Sequence, residues 1–255
     1  MSILDGKNAI IYGAGGSLGG AIARTFAREG ARVFLVGRTR ESLDAVAKDI
    51  PGAEVAVFDA TDEQAVDAHA RSVVESAGSI DISFNLITRG DVQGVPLVHM
   101  ATADLLAAVT TGLQTNFITA RAAARHMTEQ GSGVILHLNS ASGAGAMPGM
   151  GSTGPADAAI ESFMRYLAAE VGPSGIRVCG VWTAGVDETL SDEKVMAVDG
   201  AARAQSAKEM IAGMSALRRT PKLADVTEAA AFLASDRASG ITGAMTNVTA
   251  GLVLR

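Results

Sequence analysis

The chain has 255 residues, 48% of them hydrophobic and 19% charged, with a net charge of −6. That composition excludes a disordered polymer, and the absence of any Lys/Arg run or basic patch argues against a nucleic-acid partner. A single cysteine, Cys179, rules out an internal disulfide, and with no basic leader or long charge-free apolar stretch the expectation is a soluble cytoplasmic protein without a membrane segment.

The apolar run Asn8–Tyr12 reads as a strand. It is followed by a turn with glycines at 13, 15, 16 and 19, then by an Ala-rich helix over Leu18–Glu29. Glycine lets backbone approach a bulky anion, and the helix that follows aims its free N–H groups and positive dipole end at that anion. Strand, glycine turn and helix in that order predict a dinucleotide site. The next strand, Arg32–Val36, ends in "LVGRT". An NAD-preferring site usually carries an acid here; Gly37 and Arg38 stand there instead, and a guanidinium suits a 2′-phosphate. NADP is therefore the expected cofactor, with NAD as the alternative and a solvated Arg38 as the bland reading. A helix over Glu41–Asp49 leads to the strand Glu54–Phe58 and to Asp59, placed to accept a hydrogen bond from an adenine amino group or simply to form a turn.

Helix Glu63–Ser76, strand Asp81–Ile87, helix Asp104–Glu129 and strand Val134–Leu138 continue the alternation. Arg89 follows the fourth strand, as a holder of an anionic substrate or as a surface residue. Helix Pro155–Val171, strand Arg177–Val181, helix Val226–Ala234 and strand Ala244–Val248 complete it. Strand and helix alternating through one chain, with continuously apolar strands, predict a doubly wound, Rossmann-like α/β domain over 1–255: a parallel sheet of about seven strands with helices on both faces. The stretch Gly185–Ser215 breaks the pattern and reads as a mobile flap over a site.

Taken together, these segments resemble the short-chain dehydrogenase/reductase family over almost the whole chain, including the closing "RRTPKLADVTEAAAFLASDRASGITGAMTNVTAG". The resemblance implies nucleotide contacts at Gly13, Gly15, Ser17, Leu18, Gly19, Arg38 and Asp59. It adds Asn85 from "SFNLIT", and Gly185 and Thr189 from "AGVDET" on the nicotinamide side. It also implies a homodimer or homotetramer assembled through the two long helices, and a small-molecule substrate.

The departures lie in the catalytic motif. "LNSASG" is similar to the family's serine segment and keeps Ser140, but Thr153 and Asp157 occupy the positions of the family's Tyr and Lys. Gly112 aligns with its supporting Asn. A Thr hydroxyl is a far weaker acid than a phenol, and a neighbouring carboxylate makes its ionisation harder still. Asp157 itself can handle a proton if burial raises its pKa. Otherwise, with Pro155 at the first helical position, it is an acid in the first turn that favours the helix dipole. Two readings follow. One is an NADP-dependent oxidoreductase with a non-standard site built on Ser140, Thr153 and Asp157, acting on a small carbonyl or conjugated alkene. The other is a nucleotide-binding protein that has lost catalysis and serves as sensor, scaffold or partner subunit. No metal is expected.

Overall fold

The computed structural model describes residues 2–190 and 202–254. Its strands are β1 (Asn8–Tyr12), β2 (Arg32–Gly37), β3 (Glu54–Val57), β4 (Ile82–Asn85), β5 (Gly133–Ser140), β6 (Ile176–Thr183) and β7 (Ala244–Val248). The helices among the described residues are α1 (Ser17–Arg28), α2 (Arg40–Ala47), α3 (Glu63–Ala77), α4 (Thr102–Gln130), α5 (Thr153–Val171), α6 (Ala202–Met214) and α7 (Leu223–Ala234). The strands form one parallel sheet in the order β3-β2-β1-β4-β5-β6-β7. This is a single Rossmann-like domain.

All five residues of β1 are buried, because the sheet is covered on both sides. Successive side chains point to opposite faces. Ala9 and Ile11 join Leu35, Phe84 and Leu136 in a core under α1, α2 and α7. Ile10 and Tyr12 join Phe34, Ile135 and Val178 under α3, α4 and α5. Local chemistry sets the helix ends. The Asp62 carboxylate accepts from the N–H groups of Gln64 and Ala65 at the start of α3, and Gly78 closes that helix at φ 86°, a left-handed conformation that favours glycine.

The chain order reverses between β1 and β4, which is where a crevice opens at the carboxyl edge of such a sheet. Tyr12, Gly37, Asn85, Ser140 and Thr183 end their strands along that edge. Of the stretch read from sequence as a flap, a short 3₁₀ turn at Asp187–Thr189 and α6 are described. Residues 191–201 lie outside the described residues. The weakly amphipathic, Ala- and Met-rich composition of α6 hid it from a periodicity search.

Candidate active site

The first half of the site is the turn between β1 and α1. Gly13 has φ +80°, and a Cβ there would lie 2.6 Å from the Leu86 carbonyl oxygen. A Cβ on Gly15 would strike the Ser42 hydroxyl, and one on Gly19 the Gly13 carbonyl. Backbone stands in the way at Gly13 and Gly19, so both are required by close approach, whereas at Gly15 the neighbour is the Ser42 side chain. Gly16 caps α1 without a side-chain hydrogen bond, and no acid occupies the first turn, so the positive end of the helix is left for a ligand. Beside it lies a cavity of about 340 Å³ lined by Gly13, Gly15, Gly16, Arg38, Ser42 and Asp59, and reaching Thr88, Thr111 and Thr115. These features fit a dinucleotide. A second cavity of about 340 Å³ sits at the opposite edge of the sheet, around Lys7, Asp81 and Arg177. Its cations are engaged, Lys7 with Asp236 at 3.2 Å and Arg177 with the Ser235 carbonyl at 3.0 Å.

Arg38 is 74% exposed and stands 3.8 Å from Asp59. One Asp59 oxygen already accepts from the Thr61 N–H and hydroxyl, each at 2.9 Å, and these bonds hold its pKa below the usual carboxylate range. Ser17 begins α1 and is exposed, whereas Leu18 packs onto the core. Asn85 is buried. Its amide donates to Thr119 at 3.1 Å and its oxygen accepts from the Ile87 N–H at 3.0 Å, so it ties the turn after β4 to α4. Gly185 packs on Leu190 and Ile211, and the Thr189 hydroxyl donates to the Val186 carbonyl at 3.1 Å. Both lie beyond β6, outside the glycine-lined cavity.

The second half is a polar cluster between β5, α5 and the segment after β4. Asp157 is fully buried. One of its oxygens accepts from Ser140 Oγ at 2.5 Å, the other from Arg89 Nη1 at 2.7 Å. Burial pushes its pKa up to about 6, although Arg89 and Ser140 act in the opposite direction. Arg89 is only 10% exposed and also donates to Asp91 at 2.9 Å. Burial opposes its charge, but the two carboxylates outweigh that and hold the guanidinium protonated. Its stem crosses α4 at Gly112, where a Cβ would lie 2.6 Å from Arg89 Cδ.

Thr153 is buried as well, and its hydroxyl accepts from Gln93 Nε2 at 2.9 Å. A clasp covers it. The Val92 N–H donates to Ser152 Oγ at 3.0 Å, the Ser152 N–H to the Val92 carbonyl at 3.2 Å, and the Gly94 N–H to the Gly149 carbonyl at 2.7 Å. The helix start expected at Pro155 is corrected to Thr153, and α5 has no acid in its first turn. Asp157 therefore sits in the second turn and turns inward; it is not a dipole cap. Ser140 is half-buried and remains the accessible hydroxyl of the cluster.

Other candidates fall elsewhere. His137 is buried under α5 against Gly180 and Glu161. Glu161, one turn beyond Asp157, is buried and accepts from Trp182 Nε1 at 2.7 Å. No group of three His, Cys, Asp or Glu suited to a metal occurs among the described residues, and no described helix is long and apolar enough to cross a membrane. Sequence reading missed the carboxylate partners of Arg89. The one available signal was Gly112, a residue costly inside a long helix unless something passes close to it.

Comparison with known proteins agrees with this architecture. A family profile described as Enoyl-(Acyl carrier protein) reductase matches residues 13–253. The chain is 29% identical over 255 residues to a gluconate 5-dehydrogenase of Gluconobacter oxydans, covering 98% of this chain and 96% of that one. It is equally 29% identical to the 3-oxoacyl-[acyl-carrier-protein] reductase FabG of Thermotoga maritima, covering 98% and 99%. The crystal structure of an NAD+-bound xylitol dehydrogenase superposes with a TM-score of 0.88 at 26% identity, covering 97% and 99% of the two chains. Fold, glycine turn and these matches together establish that the chain belongs to the short-chain dehydrogenase/reductase family of oxidoreductases.

Proposed function

We propose that this protein is a nicotinamide-dependent oxidoreductase acting on a small carbonyl or conjugated alkene, with a proton relay made of Ser140 and Asp157. The relatives named above are dehydrogenases and reductases by name, which supports the class. The observation that carries the mechanism is the 2.5 Å hydrogen bond from Ser140 to a buried Asp157 whose pKa is pushed up to about 6.

A nicotinamide nucleotide held at the glycine turn would supply or accept the hydride. The chain must then hold the nucleotide and move one proton. Gly13, Gly15, Ser17, Leu18 and Gly19 form the phosphate turn, and Arg38 takes a 2′-phosphate, which favours NADP over NAD. Asp59 keeps one oxygen free of the Thr61 bonds for an adenine amino group. By the family resemblance, Asn85, Gly185 and Thr189 would border the nicotinamide end. Ser140 Oγ donates to Asp157 and accepts from the Ser142 N–H at 3.1 Å, so one lone pair is left for a substrate hydroxyl. In alcohol oxidation the substrate proton passes to Ser140 as the serine's own proton passes to Asp157. In reduction the protonated Asp157 returns it by the same route. A carboxyl titrating near neutrality serves both directions. Thr153 holds Gln93 at the lip of the site.

NADPH fluorescence titration followed by a panel of carbonyls and enones tests this. Ser140→Ala and Asp157→Asn are expected to retain binding and lose about 10²- to 10⁴-fold in turnover. Tight nucleotide binding without reduction of any substrate would favour the second reading, a binding protein without catalysis, which the full burial of Asp157 supports. The same reading of the chain gives a cytoplasmic homodimer or homotetramer joined through α4 and α5, whose outer faces expose Phe117 and Tyr166 beside a groove of about 610 Å³.

A further inference from the structure

We propose that Arg89 is the positioning residue of the Ser140–Asp157 relay, entering the site through clearance that Gly112 provides and fixing one carboxylate oxygen of Asp157 so that the other meets Ser140. This rests on the relay reading above. The cation comes from the segment after β4, not from α5 itself. Its stem passes where any side chain at 112 would stand, since a Cβ would lie 2.6 Å from Arg89 Cδ and 3.0 Å from Ile160 Cδ1. The guanidinium then divides its donors, Nη1 to Asp157 at 2.7 Å and Nη2 to Asp91 at 2.9 Å. Two of its five N–H donors are thus committed to carboxylates of the chain itself. It neutralises a buried carboxylate and stops it rotating away from Ser140.

Among the described residues, Arg89, Asp91 and Ser140 are the groups that act on the Asp157 carboxyl. Arg89 and Asp91 face it from the segment after β4, and Ser140 from the end of β5. Glu161, one turn along α5, is occupied by Trp182 and by Asn139 at 3.4 Å. From α4, Gly112 meets the Arg89 stem.

The test is a pH titration of the carbon-13 carboxyl signal of Asp157 in nucleotide-free protein, assigned by its loss in Asp157→Asn. Arg89→Met is expected to raise the midpoint by about one to three pH units. Arg89→Lys, which keeps the charge but loses the fork, should raise it less, and Gly112→Ala should also raise it by displacing the stem. Where turnover is measurable, the pH profile of kcat/KM should move with the carboxyl midpoint, with the loss in kcat and little change in KM. An unchanged midpoint in folded Arg89→Met overturns the proposal, since an arginine that merely anchors its loop would lower Tm alone. If Arg89→Met does not fold, an unchanged midpoint in both Arg89→Lys and Gly112→Ala overturns it. The carboxyl signal needs no turnover. An inactive enzyme would therefore refute the relay while the hold of Arg89 on Asp157 is still measured.

Discussion

Asp157 carries the chemistry proposed for this site, and its burial makes it readable by stability as well as by rate. Its pKa rises from 3.8 to about 6 on folding. Between about pH 4 and 6 the folded protein therefore keeps a proton that the unfolded chain has released. The contribution of this group to stability is greatest at low pH and falls as pH rises through that window, by about 3 kcal/mol in all. Asp157→Asn removes the dependence. In urea unfolding, the stability of the variant relative to wild type should improve by about that amount from pH 4 to pH 6.5; a constant difference would mean that Asp157 is already ionised at low pH. The resemblance to the family implied that Ser140, Thr153 and Asp157 share one neighbourhood, while β5 and α5 themselves could be read from their patterns. It did not show which hydroxyl faces the cleft. That depends on the clasp between residues 92–94 and 149–152, a loop-to-loop contact with no periodicity to betray it.

Among the elements, the β1–α1 turn was legible because its glycines announce a backbone constraint, and the structure supplies the reason at Gly13 and Gly19, where backbone leaves no room for a Cβ. Gly19→Ala would drive a Cβ into the Gly13 carbonyl and the Ala14 Cα. It should cost about 1–3 kcal/mol and weaken nucleotide binding along with it, whereas Gly172→Ala, in open surroundings, should leave binding intact. Thermal melts and NADPH titration of both variants check the contrast. The clasp gives a second case. Ser152 is fully buried and its hydroxyl accepts from the Val92 N–H. Ser152→Ala strands that donor and should cost about 1–3 kcal/mol, with faster amide exchange at Val92 as its local mark. The start of α5 was misread by two residues because Pro155 is a good first-position residue; Ser152, of a type favoured at helix starts, makes no side-chain cap bond and instead accepts from the Val92 N–H.

For the whole molecule, the doubly wound sheet was recoverable from alternation alone, since seven short apolar runs separated by helical periods admit few other folds. The pH stability of the protein follows from burial. His69 and His137 are both held down to about 4 by burial. Each supports the native state fully above pH 6.5, and that support is lost as pH falls toward 4, by about 3 kcal/mol apiece. Together they exceed the opposing contribution of Asp157, so urea midpoints should drop between pH 6.5 and 4.5; a flat profile would contradict the burial of these rings. Oligomeric state is tested by sedimentation. Wild type should run as a dimer or tetramer and Tyr166→Glu as a smaller species. The central claim is that the first turn of this fold holds a nicotinamide dinucleotide and that Arg38 reads its 2′-phosphate. Calorimetric titration with the reduced and oxidised forms of NADP and NAD tests it most directly. One saturable site per chain is expected, tighter for the phosphorylated pair, with the difference erased in Arg38→Ala. The absence of heat with all four nucleotides, and of any rise in Tm at saturating concentrations, would contradict the account.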